Sequence, residues 1–408
     1  MSFHSNLNLW EYCRKVYYRK RLRKSTSKPK LPQQIIVEKI LPRLPVKSVL
    51  SCKSVSKIWY ALLSSPEFSE LHYQWATQKL TGQKVFVLVK NYVLCLDVET
   101  LFTKGHLSNE GEIGTCAVKI DLPMDNVSHG ATLASCNGLL CVSLYNVEGM
   151  EKIYLWNPAK RCQRLMPILE NQNNNGMYSS IGFGYDDSAD DYKIVRHRKT
   201  SGGGARNMLK VAVFSLKTGV WKTTTTKTRK FKCPIYGQGT YFNGALHWVV
   251  DRVGKGGVKE KTRTIMAFDL KTETHYEVRP PKADSKELQV TSVLVFQDCL
   301  CAEFHSQKKD TSELWMLKER NSTKSWNKLT NIPGRYIGHP LLQSVAGEVL
   351  MLEEQYYDFS RVILSVCNFE EGTSRRVFDF QVQGVQITSV AVHLEGLASP
   401  YVSERIFN

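Results

Sequence analysis

The hydrophobic positions along the chain change their period once. Between residues 31 and 80 they recur at the three- and four-residue spacing of a helical face, whereas from Lys84 onward they form short apolar runs. Runs rich in Val, Ile, Phe, Tyr and Trp, separated by Gly, Asn, Asp, Ser and Thr, are typical of β-strands. The pattern predicts a small all-α unit followed by a larger all-β unit.

Prolines divide the α unit into short helices. A first helix begins at Leu31-Pro32, because proline fits the first helical turn, and a second begins after Leu44-Pro45. Pro66 predicts the start of a fourth helix, which runs to about Leu80. The third helix carries an apolar stripe with the spacing of one buried face: Val55, Ile58, Trp59, Leu62 and Leu63.

Helices shorter than roughly 12–15 residues, such as those predicted here, are marginal in water. A unit of about 40 residues also buries too little surface to be stable alone. The α unit therefore has to pack against something else. Either the rest of this chain or another protein satisfies that requirement.

The β unit contains a repeat with a period near 50 residues. Turns that open a strand occur at Asn137, Asp191, Asn243, Gln297 and Gly347. A second series of turns, each followed by a large aromatic residue, keeps nearly the same period at Thr218, Thr272, Thr323 and Thr373. This period fits the four-stranded blades of a kelch-type β-propeller. Five units are visible, and Lys84 to about Ser135 is a candidate sixth; a β-sandwich with accidental spacing is the alternative.

The α unit contains a first Leu-Pro step followed by E-x-I-L-x-R-L-P-V-K-S-V-L, V-S-K-x-W and S-P-E-F. These motifs, at these offsets, resemble the F-box of plant F-box proteins. Gln34 departs from the family's usual acidic cap, and Ser51-Cys52-Lys53 departs from its aromatic-basic-cysteine run.

The F-box resemblance implies docking to a Skp-family adaptor and, through it, to a cullin-RING ubiquitin ligase. Leu44, Pro45, Val49 and Leu50 are expected to face the adaptor, and Trp59 to anchor the local core. The full set of partner-binding residues that the resemblance implies is Leu31, Pro32, Ile36, Ile40, Leu41, Leu44, Pro45, Val49, Leu50, Val55, Trp59 and Leu62.

The β unit is similar to the F-box-associated domain of the same family. The similarity is carried by Leu155-Trp156-Asn157-Pro158, Gly182-Phe183-Gly184-Tyr185-Asp186, His247-Trp248 and the closing His393-Leu394-Glu395-Gly396-Leu397. The predicted layout is a basic, mostly disordered arm (1–30), an F-box with a linker helix (31–80) and a propeller-like domain (84–400).

The net charge of +17 is concentrated at the N-terminus, where nine Lys or Arg and no acid lie between Arg14 and Lys30. Such a run is a solvated tail, a nuclear import signal or a polyanion-binding segment, and we expect the protein in nucleus and cytoplasm. No run of 18 apolar residues predicts a membrane span. The eleven cysteines are scattered without zinc-type spacing, as in proteins of a reducing compartment.

Catalytic motifs are not apparent. Gly237-Gln238-Gly239 lacks the last glycine of a dinucleotide-binding loop and lies in strand-like sequence. The cluster Asp186, Asp187, Asp190 and Asp191 lacks calcium-loop spacing and is better explained as a turn. We therefore expect a non-catalytic adaptor without a cofactor or metal. The alternatives are a basic propeller that binds nucleic acid, with the helices as a cap, and a propeller enzyme with scattered carboxylates.

Substrate binding is expected on loops of one propeller face, because loops on a rigid scaffold usually carry recognition. Positive charge on two of these segments predicts an acidic or phosphorylated protein target. The four candidate segments have no common length or sequence: Asn171 to Ser180, Thr200 to Asn207, Arg252 to Arg263 and Gln307 to Thr311.

Overall fold

The computed structural model describes most of the chain from Ile35 to Tyr401. The described residues are 35–78, 82–89, 92–104, 117–122, 127–146, 148, 150–168, 179–199, 208–227, 238–253, 259–281, 288–306, 311–317, 326–332, 338–353, 360–381, 387 and 389–401. The predicted basic arm, residues 1–30, lies outside them. No helix among these residues has both the length and the apolar character that crossing a membrane requires.

Residues 35–78, here called the helical segment, form a series of short helices. Serine caps begin two of them, because the hydroxyls of Ser56 and Ser65 accept the backbone N–H groups of Trp59 and Phe68, each at 3.2 Å. The predicted helix start at Pro66 is confirmed. The elements are a π-helical turn Ile36–Ile40, a 3-10 turn Leu41–Arg43, α1 Val46–Cys52, a 3-10 turn Lys53–Val55, α2 Lys57–Leu63 and α3 Pro66–Thr77.

The helical segment shares its core with the C-terminal end of the chain. Leu397 is buried among the apolar side chains of the helices, and Ala159 packs against the same cluster. The buried helical members of the cluster are Leu41, Val46, Val49, Leu63 and Phe68. The support that these short helices need is thus provided, at least in part, by the chain itself.

Most of the remaining described residues form antiparallel four-stranded units, the blades. Four blades are separate sheets, and two more are joined into one eight-stranded sheet by a parallel contact of Gln238 and Gly239 with Ile181 and Gly182. Blade 2 consists of β4 Val127–Cys136, β5 Leu139–Asn146, β6 Glu151–Asn157 and β7 Cys162–Leu165. Blade 3 consists of β8 Ser179–Asp186, β9 Asp191–Lys199, β10 Met208–Ser215 and β11 Val220–Lys227. Blade 4 consists of β12 Gln238–Phe242, β13 Ala245–Val253, β14 Lys259–Asp269 and β15 Thr274–Val278.

The other blades follow the same order. Blade 5 consists of β16 Leu288–Phe296, β17 Cys299–Ser306, β18 Thr311–Leu317 and β19 Trp326–Ile332. Blade 6 consists of β20 Gly338–Gln343, β21 Val349–Glu353, β22 Arg361–Asn368 and β23 Thr373–Gln381. Blade 1 combines β1 Gln83–Val89, β2 Tyr92–Asp97 and β3 Ala117–Asp121 with the last strand, β24 Ser389–Leu394.

Blade 1 corrects the predicted sixth unit. Its first strand is β24, which pairs with β1 from Gln83↔Leu394 to Leu88↔Ser389, so the two ends of the β unit close one blade. Residues 127–135, which the prediction placed in this unit, instead belong to the first strand of blade 2, Val127–Cys136. A continuous stretch of sequence could not show this, because the missing strand comes from the opposite end of the chain.

The repeated turns have equivalent structural positions. Asn137, Asn243 and Gln297 each precede the second strand of a blade and have positive φ angles of 45°, 47° and 52°. The residue after each also has positive φ, as a two-residue hairpin of the primed type requires. The second series of turns joins third to fourth strands at residues 216–219, 270–273 and 369–372, and Thr323 lies outside the described residues.

One helix was not anticipated. Residues Val98–Lys104 form α4 between β2 and β3. Its start is capped by Asp97, whose Oδ1 accepts the backbone N–H and the hydroxyl of Thr100 at 2.9 Å. The Asp97-to-Thr100 spacing was the available signal, and the surrounding strand pattern obscured it.

Candidate adaptor-docking surface and the opposite propeller face

The helical segment leaves part of its apolar stripe uncovered. Val55 is 64% exposed and Ile58 is 38% exposed, while Leu62, one turn further along α2, is half-buried. Ile35 and Ile40 are also exposed. The prediction that the stripe of the third helix forms one buried face is therefore only partly right. Leu63 is buried and Trp59 packs against the helical core, but the rest of the stripe is accessible to a partner.

The structure separates the predicted partner-binding residues into two groups. Pro45 is exposed, and Leu44, Leu50 and Ile36 are half-buried, so part of each remains accessible. Val49 has 0% exposure and Leu41 only 3%, so the packed helical core covers both side chains. Leu31 and Pro32 lie outside the described residues. Helical spacing alone could not distinguish the buried members, because both groups belong to the same apolar stripes.

Helix α3 fixes the helical segment against one end of blade 2. The Tyr73 hydroxyl makes a hydrogen bond with the backbone of Asn137, in the first turn of that blade, and burial raises the pKa of this phenol. The ring of His72 donates to the carbonyl of Leu44 at 2.9 Å. Arg43 stacks on the Trp75 ring at 4.1 Å, which is a cation–π contact. These contacts fix α3 both to the propeller and to the rest of the helical segment.

The chain after β24, residues 395–401, runs between the helical segment and blade 2 and is here called the tail. The buried Asn157 amide donates to the carbonyls of Gly396 at 2.9 Å and Ala398 at 2.8 Å. The ammonium of Lys160 donates to the carbonyl of Leu397 at 3.1 Å. The Tyr401 hydroxyl donates to the carbonyl of Gln163 at 2.6 Å. Blade 2 thus holds the tail at several points, and the tail presents Leu397 to the helices.

Two lysines lie at this junction. Lys53 lies near Lys160, and burial together with the Lys160 charge lowers the pKa of Lys53. Burial also lowers the pKa of Lys160. The like charges are tolerated here because Lys160 has the Leu397 carbonyl as its acceptor.

The strand ends that flank the four variable segments predicted to bind substrate lie at the other end of the blades. The helical segment contacts turns between first and second strands and between third and fourth strands, at Asn137 and Ala159. The segments instead join second to third strands in blades 3, 4 and 5, or connect blade 2 to blade 3. Because the strands alternate in direction, these connections leave from the opposite face. Most of the segments' own residues lie outside the described ones.

Side chains of two opposite blades meet at the centre of the propeller. The first strands of the blades line the axis, and the Ser389 hydroxyl on β24 donates to the Gln238 side chain on β12, in the opposite blade, at 3.3 Å. The Ser389 hydroxyl also accepts the backbone N–H of Leu133 at 3.2 Å.

Gly239 has a packing role. A Cβ at Gly239 would overlap the Trp248 ring, so the glycine makes room for that side chain. Packing against Trp248 therefore explains why a glycine interrupts the strand-like sequence, and no phosphate-binding role is needed.

The aspartate cluster forms a turn, as predicted. Asp186 Oδ1 accepts the backbone N–H groups of Ser188 and Ala189, and Lys193 pairs with its other oxygen at 3.0 Å. Asp191 accepts the Ser215 hydroxyl and the Lys217 backbone N–H. Among the described residues no group of three or more His, Cys, Asp or Glu side chains is placed to hold a metal.

Sequence reasoning missed the charged groups buried between blades. Arg196 and Glu151 form an ion pair in which both side chains are only 1% exposed. The Ser143 hydroxyl donates to Glu151 at 2.5 Å. The available signal was the alternation of charged and apolar residues in β9, where Arg196 and Arg198 lie two residues apart on the same side of the strand.

Comparison with known families agrees with this architecture. The family model described as the F-box associated beta propeller domain matches residues 103–386, which is most of the chain. The chain belongs to this family. The F-box domain model matches residues 30–71 and so covers most of the helical segment.

Similar plant proteins are also named for the F-box. An F-box/kelch-repeat protein of Arabidopsis thaliana is 26% identical over 73% of this chain and 79% of its own length. F-box protein CPR1 of the same plant is 28% identical over 73% of this chain and 72% of its own. A solved structure of the Aleuria aurantia lectin aligns over 75% of this chain and 96% of its own with 9% identity, and its TM-score of 0.38 is too low to support a functional argument. The chain is thus an F-box and propeller protein like the plant F-box proteins, which are generally non-catalytic adaptors.

Proposed function

We propose that this chain is the substrate-recognition subunit of an SCF-type cullin-RING E3 ubiquitin ligase. The observation that carries the proposal is the exposed apolar surface of the F-box helices, centred on Val55 and Ile58. Apolar side chains that are clustered on an exposed surface are typical of a protein contact. The matching F-box model supports a Skp-family adaptor as the partner on this surface.

The proposed role needs no catalytic residue in this chain. The F-box binds the adaptor at one end of the propeller, and the opposite face binds a protein substrate. Tethering then raises the effective concentration of substrate lysines near the charged conjugating enzyme, to the order of millimolar for a short tether. The fixed contact between F-box and blade 2 supports this role, because it holds the two binding surfaces at a defined separation.

Co-purification from plant cells tests the proposal. The full chain should bring down a Skp-family adaptor and a cullin, and a Val55→Glu variant should lose both, because a charge replaces apolar contact. The matched control is Val118→Glu on β3, since Val118 has 61% exposure against 64% for Val55. Retention of both partners by Val55→Glu, or equal loss with Val118→Glu, would refute the assignment.

Localisation to nucleus and cytoplasm is a second part of the proposal. The nine basic residues between Arg14 and Lys30 supply the charge of an import signal. Deleting residues 1–30 should shift a fluorescent fusion toward the cytoplasm and leave the melting temperature unchanged. An unchanged distribution would identify the arm as a solvated tail.

A further inference from the structure

The outer strands of the blades differ in how well their open edges are protected. An outer strand has backbone N–H and C=O groups without a strand partner on one side, and proteins protect such edges by keeping them short, bulged or covered. The strands β3, β7 and β15 have only five, four and five residues. The strands β19 and β23 each pair with a shift of register. In addition, α4 lies against β23, where Arg375 donates to the Phe102 carbonyl at 2.6 Å.

Strand β11, the outer strand of blade 3, has none of these protections. Its eight residues pair with β10 without interruption, from Ser215↔Val220 to Met208↔Lys227. No described strand pairs with its other side. Residues 222–225, a lysine and three threonines, are all exposed, and threonine favours strands. The edge of β11 is therefore long, regular and accessible, which are the properties that the addition of a partner's strand requires.

The charge of blade 3 favours an acidic partner. From residue 192 to residue 250 the sequence contains twelve Lys or Arg and no Asp or Glu. Lys193 is neutralised by Asp186 at 3.0 Å. Lys222 pairs with Glu273 at 2.8 Å, but its side chain stays 69% exposed on β11. A surface with such an excess of one sign attracts segments of the opposite sign and repels basic ones.

Two cations and a hydroxyl form a row that ends at the edge of β11. Arg198 on β9 lies directly opposite Lys210 on β10, which lies directly opposite Thr225 on β11, so their side chains share one face of blade 3. Arg198 and Lys210 are half-buried, and Thr225 is exposed. Like charges at directly opposite positions are destabilising, and burial together with the Arg196 charge lowers the pKa of Arg198. A carboxylate on a strand added beside Thr225 would reduce this repulsion.

The row lies toward the end of blade 3 that faces away from the F-box. β9 ends at Lys199 and β10 begins at Met208, and these two strand ends flank residues 200–207, one of the segments predicted to bind substrate. β11 ends at Lys227, at the same end of the blade. A strand added to β11 would therefore be continuous with the face on which substrate binding is expected.

A peptide fits this edge better than a nucleic acid does. Proteins that bind single-stranded nucleic acid stack bases on aromatic side chains, and among the described residues of blade 3 every aromatic side chain is buried or half-buried. A peptide can instead bond to the open backbone groups of β11. We propose that the outer edge of β11 binds an extended, acidic segment of the protein substrate as an added strand of blade 3. This inference rests on the proposed function, because it names the chemistry of the substrate and the place where it docks.

Differential peptide selection tests the inference. A displayed library of random eight-residue peptides, which match the length of β11, is selected on the full chain and on its Thr225→Glu and Val118→Glu variants. Thr225→Glu places a like charge at the edge of β11. Val118→Glu is the control, because it places the same charge on another outer strand, β3, at a residue that is 61% exposed. Acidic peptides should be recovered with the wild type and with Val118→Glu and lost with Thr225→Glu. If no acidic peptide shows this pattern, the proposal is wrong.

Amide hydrogen exchange then locates a selected peptide on the chain. Binding should slow exchange in β11, because N–H groups on its outer side gain acceptors. Only alternate backbone N–H groups of the peptide face β11. Methylation of one alternate set of peptide nitrogens should therefore weaken binding by about tenfold or more, while methylation of the other set should be tolerated. Slowed exchange elsewhere without a change in β11, or equal effects of the two methylation patterns, would overturn the strand addition.

The charge requirement is tested on the same peptide. Replacing its Asp and Glu residues by Asn and Gln should weaken binding by about tenfold or more, because the attraction to the basic face is lost. Equal affinity of the two peptides would contradict an acidic partner. A single-stranded RNA of random sequence is the competing probe, and RNA that displaces the peptide and slows exchange in β11 more strongly would replace the protein segment by a nucleic acid.

The adaptor serves as the second readout. Thr225→Glu should retain the Skp-family adaptor, because the substitution lies outside the helical segment. Failure of the wild-type chain to bind the adaptor would refute the proposed ligase role without touching the peptide result. Failure to recover acidic peptides on β11, with adaptor binding intact, would refute only the docking edge.

Discussion

At the scale of single residues, the approach of the tail to blade 2 depends on two glycines. A Cβ added to Gly138 would lie 2.6 Å from the Cα atom of Gly396, and a Cβ on Gly396 would lie 2.9 Å from the Cα atom of Gly138. Gly244 occupies the equivalent turn of blade 4, with a positive φ of 72°, and a Cβ added to it would meet nothing within 4 Å. The two turns therefore share a backbone conformation and differ in their surroundings.

This difference gives a matched pair of substitutions. Gly138→Ala should lower the free energy of unfolding by about 1–3 kcal/mol more than Gly244→Ala, because only the first adds overpacking to the cost of positive φ. Urea unfolding of both variants measures the difference. Equal losses would show that the contact between Gly138 and Gly396 is not fixed in solution.

A pair of histidines between blades 3 and 4 makes stability depend on pH. His197 and His275 approach through their Nε2 atoms at 2.9 Å. Burial lowers the pKa of His275 from 6.5 to about 4, and burial and the neighbouring His275 lower the pKa of His197 well below its usual range. One ring donates and the other accepts, and the lowered pKa values keep both rings neutral in the folded protein at neutral pH.

The sign of the pH effect follows from these pKa values. Between pH 6.5 and about 4 the unfolded chain binds more protons than the folded chain at His275. The stability that neutral His275 contributes is therefore fully present above pH 6.5 and is lost as the pH falls toward 4. The loss from His275 alone is on the order of 3 kcal/mol by pH 4, since each pKa unit corresponds to about 1.4 kcal/mol.

Unfolding measured from pH 7.5 to pH 4 checks this expectation, and His275→Gln is the comparison. The variant should lose less stability over the range than the wild type, because it removes one proton-binding site that differs between the states. The same pH slope in both proteins would contradict the role of this pair.

At the scale of elements, the third strand of blade 2 ends in a residue that joins blade, tail and F-box. Asn157 Oδ1 accepts the backbone N–H of Lys160 at 3.0 Å, and its amide donates to Gly396 and Ala398. Asn368 ends the third strand of blade 6, where its Oδ1 accepts the backbone N–H groups of Glu370 and Glu371. Both residues stabilise a turn, but only Asn157 also holds the tail.

Replacing each asparagine by alanine separates these roles. Asn157→Ala leaves the buried tail carbonyls without donors and should cost about 3 kcal/mol of unfolding free energy, whereas Asn368→Ala should cost about 1 kcal/mol. Because the tail supplies Leu397 to the F-box core, limited proteolysis should cut Asn157→Ala faster near the F-box. Equal costs and equal cleavage would mean that the tail does not couple the two parts.

Local signals in the sequence predicted most elements and not their partners. The Pro66 start of α3, the strand after each repeated turn and the turn at Asp186 depend on a few neighbouring residues, and these were predictable. The burial of Val49 depends on which side of a stripe meets Leu397, and Leu397 comes from the far end of the chain. The closure of blade 1 by β24 and the ion pair of Arg196 with Glu151 are likewise long-range. No local pattern encodes them.

At the scale of the whole molecule, the propeller separates two surfaces. The F-box packs on the turns of blade 2 at one end of the blades. The strand ends that flank the four variable segments predicted to bind substrate lie at the other end. The account depends most on the first of these surfaces. Docking of an exposed apolar stripe has an affinity that depends on the contact area. Binding of polyanions by a basic chain has an affinity that falls as the salt concentration rises.

The most direct measurement is the dissociation constant between the purified full chain and a purified Skp-family adaptor, with the salt raised from about 0.1 M to about 0.5 M. Apolar docking should change little over this range, while a phosphate-type electrostatic contact would weaken steeply. The account predicts tight, nearly salt-independent binding that Val55→Glu abolishes and Val118→Glu preserves. Absence of binding by the wild-type chain, or binding that Val55→Glu leaves unchanged, would contradict it.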